Sequence, residues 1–277
     1  MSELLKAVLF GIVEGITEWL PVSSTGHMIL LDELVTMHVS PLFMQMFMVV
    51  IQLGAILAVV ILYWKTIWPF RRSEETGKLT LDRDTVSMWC KVIVACFPAA
   101  VVGILADDWL DVHFRNWPVV SVMLIVVGIA FIVIEKRNEG RKPVIRKLRD
   151  ITFREALIIG LFQLIAAVFP GTSRSGATIL GGIMIGVSRA AAAQFTFIMA
   201  IPVMLGASLL KIIKYGLFFS AMELGILAVG MLTAFLVSVL VIRFIMNYIR
   251  THDFRVFGWY RIILGVVVII YFAVIRR

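Results

Sequence analysis

Six apolar runs dominate this sequence, near residues 43–64, 88–106, 118–135, 191–213, 222–245 and 258–275. Each approaches or exceeds the ~20 residues a helix needs to cross about 30 Å of hydrocarbon. Hydrophobic residues make up 61% of the 277 positions and charged residues 16%, against about 45–50% and about 25% in soluble domains. No water-soluble fold of this length could hide so much apolar surface. In hydrocarbon a backbone must satisfy its own N–H and C=O groups, which leaves helices or a closed barrel. The runs lack the alternation of barrel strands, so the expected class is an all-α integral membrane protein with six transmembrane helices.

Two further apolar stretches, 3–35 and 154–188, are interrupted by polar tips. Pro21-Val22-Ser23-Ser24-Thr25-Gly26 breaks the first and Pro170-Gly171-Thr172-Ser173-Arg174-Ser175-Gly176 the second. Proline and glycine stop a helix and tighten a turn. Each half is too short to span, so each stretch predicts a re-entrant helix-loop-helix hairpin. The hairpins read as copies: Glu14 precedes Pro21 by seven positions, as Gln163 precedes Pro170, which sets Ser24 opposite Ser173. Leu53-Gly54-Ala55 is echoed by Leu205-Gly206-Ala207. The chain therefore divides into one membrane domain, 1–277, built as an internal repeat. Residues 1–135 hold hairpin 3–35 and three spans, and 154–277 hold hairpin 154–188 and three more, joined by basic loop 136–153. Three spans is an odd number, so the second copy is upside down. Inverted repeats with broken helices place their site near the midplane.

The formal charge is +8, but the bases flank apolar runs, which reads as topology control rather than as binding of nucleic acid. Segments 65–91, 136–154, 186–190 and 243–261 together hold 19 of the 26 Lys and Arg. The opposite side holds Lys6, Arg115, Lys211, Lys214, Arg276 and Arg277. The first side is expected to be cytoplasmic, with both termini outside and the two hairpins entering from opposite faces so that their tips meet. Trp19, Trp64, Trp68, Trp109 and Trp117 are expected in the interfacial belt. Cys90 and Cys96 are read as packing residues. Met1 to Phe10 carries only Lys6, offset by Glu3, and does not read as a cleavable signal.

Charges at membrane depth are costly and functional by default. Glu14 and Glu18 lie four apart on one helical face and repel unless a proton, a cation or a basic partner relieves them. Hard cations such as Mg²⁺ or Ca²⁺ take carboxylate and substrate phosphate oxygens together. Arg174 sits among glycines and the hydroxyls of Thr172, Ser173, Ser175 and Thr178 at the start of a helix, a combination suited to an anion. His27 follows Ser23, Ser24 and Thr25 directly. These residues alone point to phosphate-ester chemistry or anion transport.

Glu14-Gly15-Ile16-Thr17-Glu18-Trp19-Leu20-Pro21-Val22-Ser23-Ser24-Thr25-Gly26-His27 resembles the first signature of bacterial undecaprenyl-diphosphate phosphatases of the bacitracin-resistance type, and Pro170 to Thr178 resembles their second. The resemblance implies a multi-pass enzyme of the bacterial inner membrane, with an outward-facing site, that hydrolyses undecaprenyl diphosphate to the monophosphate and recycles the carrier lipid for cell-wall synthesis. It implies a divalent cation, Mg²⁺ or Ca²⁺, on Glu14 and Glu18. It implies Ser24, Thr25 and His27 as a reactive set, and Ser173 and Arg174 as phosphate ligands. Ser23, Thr172 and Thr178 are expected to contact the diphosphate. Glu18 is the candidate base, and the nucleophile is open between Ser24, His27 and water. The substrate is a polyprenyl diphosphate in a membrane of lipids. Assembly as a homo-oligomer is left open. A lipid-phosphate flippase using the same midplane site is the main alternative, and an ion channel or exchanger built on Glu14 and Glu18 a weaker one.

Overall fold

The computed structural model describes residues 1–72, 78–114, 116–216 and 219–275, without the side chains of Asp107, Asp108, Asp111, Lys214 and Tyr215. Of the bases expected on the side holding both termini, Arg115, Arg276, Arg277 and the Lys214 side chain therefore lie outside the described residues. The chain is helical almost throughout. Among the described residues, six helices are long and apolar enough to cross a membrane: α3 (Pro41–Leu62), α5 (Arg83–Phe114), α6 (Trp117–Arg137), α9 (Arg189–Tyr215), α10 (Ala221–Tyr248) and α11 (Arg255–Ile270). The protein is a multi-pass membrane protein. Large apolar side chains on these spans are bare, among them Leu105, Ile93, Leu240 and Ile263. In a bilayer those faces meet lipid.

The helix ends follow local chemistry. Ser40, with Pro41 behind it, caps α3; Asn116 caps α6; Ser220 and Glu223 form a capping box on α10. Two departures from the apolar pattern follow the spans. Helix α5 continues through the acidic residues from Asp107 to Phe114, where falling hydropathy alone predicts a loop. The polar segment 65–91 carries a one-turn helix α4 (Trp64–Ile67) and an antiparallel ribbon, β1 (Phe70–Arg72) with β2 (Leu79–Leu81).

Four shorter helices make the two polar-tipped segments: α1 (Glu3–Thr17) with α2 (Ser24–Leu34), and α7 (Phe153–Val168) with α8 (Arg174–Met184). They have 15, 11, 16 and 11 residues. At ~1.5 Å per residue none exceeds about 24 Å, so none crosses about 30 Å of hydrocarbon. Small residues let them approach the spans closely. A Cβ on Gly11 of α1 would stand 2.6 Å from the Gly230 carbonyl of α10, and one on Gly160 of α7 would stand 2.3 Å from that of Ala95 in α5. Gly54 meets Met231 in the same way, whereas Gly206 faces open space, so the Leu-Gly-Ala echo is not an echo in packing.

Helices α6 and α11 run antiparallel and touch reciprocally. A Cβ on Gly128 would lie 2.7 Å from the Gly258 carbonyl and 2.9 Å from Ile262; one on Gly258 would lie 2.7 Å from the Gly128 carbonyl and 2.9 Å from Ile132. At one end of this pair buried Glu135 accepts from Arg189 and from the Phe254 N–H (3.0 Å). Ile145 bridges to Val187, and Arg255 pairs with Glu139 at 3.7 Å. The basic segments thus gather at a single end. The main core surrounds α9, where Phe195, Phe197 and Ile198 are fully buried. Trp19 belongs to that core, edge-on to Phe197, and not to the interfacial belt; Trp64, Trp68 and Trp109 are exposed. Cys90 is exposed as well, while Cys96 is half-buried.

Candidate active site

Pro21 and Pro170 lie in the tips that follow α1 and α7, and the helix after each tip, α2 or α8, is capped by a serine in a left-handed conformation. Ser23 has φ 74° and Ser173 φ 68°, the two non-glycine residues of positive φ among those described. Such a conformation costs a non-glycine residue ~1–3 kcal/mol and persists only when its surroundings enforce it. Each serine hydroxyl accepts from the N–H three residues on, Gly26 (3.4 Å) and Gly176 (3.1 Å). This geometry corrects the sequence register. Ser23, not Ser24, is the counterpart of Ser173, so Ser24 stands opposite Arg174. The second tip carries one extra residue, Gly171, at φ 90°, where a Cβ would strike the Val120 carbonyl at 2.5 Å.

The two tips meet on Glu18. Its carboxylate accepts from Ser24 Oγ at 2.9 Å through one oxygen and from Arg174 Nη2 at 2.9 Å through the other. Glu18 also offers its main-chain carbonyl to Ser175 Oγ at 3.1 Å. Glu14 lies beside Glu18 and is buried, with Oε1 unpartnered. The basic partner that the acid pair needs is therefore Arg174, supplied from the other half of the chain. Arg174 Nη1 donates to the Thr196 carbonyl (3.1 Å). The Thr178 hydroxyl is buried and donates to the Arg174 carbonyl (2.8 Å) while accepting from Thr196 Oγ1 (2.8 Å). Thr178 thus braces Arg174 from behind.

Exposure divides the expected site residues. Ser24, His27, Ser173 and Arg174 are half-buried and Thr25 is exposed at the tip. Glu14, Glu18, Ser23, Thr172 and Thr178 are buried, and the Thr172 hydroxyl has no partner. Both nitrogens of His27 are engaged. Nδ1 lies 2.7 Å from the Ser23 carbonyl, which can only accept, so Nδ1 carries a proton. Nε2 lies 2.6 Å from the Tyr260 hydroxyl, and the two rings stack with centroids 5.6 Å apart.

Sequence reasoning missed Arg261. Counted there as a cytoplasmic base, it is fully buried and donates to three main-chain carbonyls: Pro21 (3.1 Å) in the first tip, Gly171 (2.7 Å) and Thr172 (2.8 Å) in the second. It clamps the tips together. A signal was present, because Arg261 lies inside the last apolar run much as Arg174 lies inside a hairpin. Tyr260 and Thr196 were also missed, and nothing in their local sequence marks them.

Two acids, two guanidiniums and several hydroxyls thus converge at a locus built from both halves of the chain. The profile of the family described as bacitracin resistance protein BacA matches residues 7–267. The chain belongs to this family. Among its relatives, an undecaprenyl-diphosphatase of Desulfitobacterium hafniense is 58% identical over 273 residues, covering 99% of this chain and 97% of the relative. One from Clostridium acetobutylicum, undecaprenyl-diphosphatase 1, is 57% identical over 273 residues (99% and 98%). An Enterococcus faecalis undecaprenyl-diphosphatase is 54% identical over 272 residues (98% of each). The family match spans both tips and Arg261, so the whole convergent site lies within it.

Proposed function

We propose that this protein hydrolyses undecaprenyl diphosphate to undecaprenyl monophosphate and phosphate, with Ser24 as nucleophile and Glu18 as its base. Full-length similarity to undecaprenyl-diphosphatases supports the reaction. The observation that carries the assignment is the Glu18 carboxylate shared between Ser24 and Arg174, each at 2.9 Å. A serine needs a base within hydrogen-bond reach, and Glu18 is within it. At rest the guanidinium of Arg174 occupies one of the Glu18 oxygens. The terminal phosphoryl group of the substrate competes for the Arg174 fork, and as it draws that fork away Glu18 is freed to take the serine proton. Ser24 Oγ then bonds to the terminal phosphorus as its proton passes to Glu18. The bond from phosphorus to the bridging oxygen breaks, and the electron pair leaves on the lipid monophosphate. Glu18 passes that proton to the departing lipid phosphate; ionised again, it takes a proton from water, whose oxygen displaces Ser24 Oγ from phosphorus, and returns the proton to the serine as phosphate is released. Thr25 and Ser173, at the accessible rim, hold phosphate oxygens. Ser23 and Thr178 act from beneath, as cap and brace.

The residues fit a divalent cation. Glu14 offers an unpartnered buried oxygen next to Glu18. No group of three or more His, Cys, Asp or Glu stands together among the described residues, so a cation held there would need substrate or water oxygens besides the two carboxylates. Glu14 and Glu18 would hold Mg²⁺ or Ca²⁺, which neutralises charge on the diphosphate when bound.

The reading extends to architecture. The two polar-tipped segments are re-entrant hairpins of an inverted repeat in the bacterial inner membrane. The reciprocal antiparallel contact of Gly128 and Gly258 supports it, as do the matching serine caps. The charge bias supports a cytoplasmic basic end and, with it, a site open toward the outside. Release of the carrier lipid from its diphosphate form accounts for bacitracin resistance. The same repeat favours a second reading, a lipid-phosphate flippase. Phosphate release by the detergent-solubilised protein separates the two, because a carrier alone releases none. For the nucleophile, the enzyme is quenched during turnover of substrate labelled in the terminal phosphate. An acid-stable adduct absent from Ser24→Ala is expected. An alkali-stable adduct absent from His27→Ala would overturn the serine assignment, and no adduct at all would favour direct attack by water.

A further inference from the structure

We infer that Tyr260 is a positioning residue that acts through His27 on the peptide preceding Ser24. The chain of contacts is short. Tyr260 Oη stands 2.6 Å from His27 Nε2, and His27 Nδ1 stands 2.7 Å from the Ser23 carbonyl. Ser23 is the left-handed tip residue at φ 74°, and Ser24 follows it directly. A residue in that conformation returns to a commoner one unless its peptide is held. The next residue along α11, Arg261, holds the Pro21 carbonyl two residues before Ser23. Consecutive side chains of one helix thus grip the first tip at two carbonyls, Arg261 directly and Tyr260 through an imidazole.

The chemistry of the imidazole fixes the direction of the bonds. The Ser23 carbonyl requires the proton on Nδ1, so the Nε2 lone pair of the neutral ring accepts the tyrosine hydroxyl. Parallel stacking at an interplanar angle of 6° holds the ring face against the phenol. With both nitrogens occupied, His27 is a strut between α11 and the tip and takes no part in covalent chemistry. This inference rests on the reading of Ser24 as nucleophile. Its structural half, the tautomer and its cause, stands independently of any activity.

The test has two arms. In the first, protein labelled with ¹⁵N-histidine is observed in detergent, the His27 signal being assigned by its loss in His27→Ala. The expected wild-type spectrum shows the Nδ1–H tautomer with a hydrogen-bonded Nε2, and Tyr260→Phe shifts Nε2 while leaving the fold's melting temperature unchanged. An Nε2–H tautomer in the wild-type protein overturns the inference with no variant needed. In the second arm, Tyr260→Phe lowers kcat by about three- to tenfold, the range of one lost hydrogen bond, with KM within about twofold. His27→Ala/Tyr260→Phe is then no slower than His27→Ala alone, because Tyr260 has no other route to the site. Losses that multiply, or an unchanged kcat in Tyr260→Phe, refute it. If phosphoserine trapping fails but the tautomer and its dependence on Tyr260 hold, the nucleophile is wrong and the strut is right.

Discussion

Replacing Arg261 by lysine keeps a cation in the last span but removes the planar fork. Nη2 alone serves Gly171 and Thr172 at 2.7 and 2.8 Å, and Nη1 reaches back to Pro21 at 3.1 Å. A single ammonium has three N–H groups but stands about one bond length short of both terminal nitrogens, so it cannot bond both tips at once; drawn to the Pro21 carbonyl, it leaves the Gly171 and Thr172 carbonyls without a donor. Interhelical hydrogen bonds in bilayers average about 0.6 kcal/mol and reach about 1.7. Charged donors belong at the upper end, so two lost bonds cost about 3 kcal/mol, or a little over 10²-fold in any equilibrium that holds the tips together. The catalytic contacts are made across those tips, since Ser24 and Glu18 come from one and Arg174 from the other. Arg261→Lys is therefore expected to lower phosphate release from polyprenyl diphosphate by about 10²-fold and to reduce thermal stability in detergent. Arg261→Met, which removes all three bonds, should be worse on both measures. If Arg261→Lys retains wild-type turnover and melting temperature, the clamp contributes nothing and the tips are held by their own caps and by the pairing of Arg174 with Glu18.

Arg174→Lys should lose at least about 10²-fold in kcat, the scale of one strong transition-state donor, because a point charge cannot hold both Glu18 and the Thr196 carbonyl and then turn to a phosphoryl group; near-wild-type turnover would show that charge alone suffices. Excess chelator should abolish activity, added Mg²⁺ or Ca²⁺ should restore it, and Glu14→Gln should raise the metal concentration needed; full activity in chelator removes the cation from the mechanism. In a background lacking Cys90 and Cys96, Arg141→Cys should resist an impermeant thiol reagent in intact cells while Asn116→Cys reacts, and the reverse pattern inverts the orientation.

The elements that local chemistry dictates were legible in the sequence, and those that depend on distant partners were not. Apolar length located all six spans, and Pro21 and Pro170 marked the tips. Glu18, Ser24 and Arg174 stood out because polar groups inside apolar runs have no cheap alternative to a partner. The pairing of tip positions slipped by one residue because an alignment on proline does not register the extra Gly171, which only backbone geometry reveals. Arg261 was misread because its partners are carbonyls 240, 90 and 89 positions away, and a main-chain acceptor leaves no mark on composition. Trp19 near a proline break looked like an interfacial residue, yet the tip carries it inward to Phe197. The extension of α5 over the acidic segment shows helical order persisting where hydropathy falls.

The glycine crossing of α6 and α11 constrains how this sequence can drift. A carbon added at Gly128 would collide with the carbonyl of Gly258, and one at Gly258 with that of Gly128, each at 2.7 Å. A second substitution at the partner adds another carbon to the same crowded space, so neither change rescues the other. The two positions behave as one locus, closed to stepwise exchange. The same crossing fixes the height at which Arg261, a turn beyond Gly258 on α11, faces the tips. Any drift that pushes these helices apart lengthens three hydrogen bonds at once, and a substitution at a glycine buried between two spans would register as a defect in phosphate chemistry.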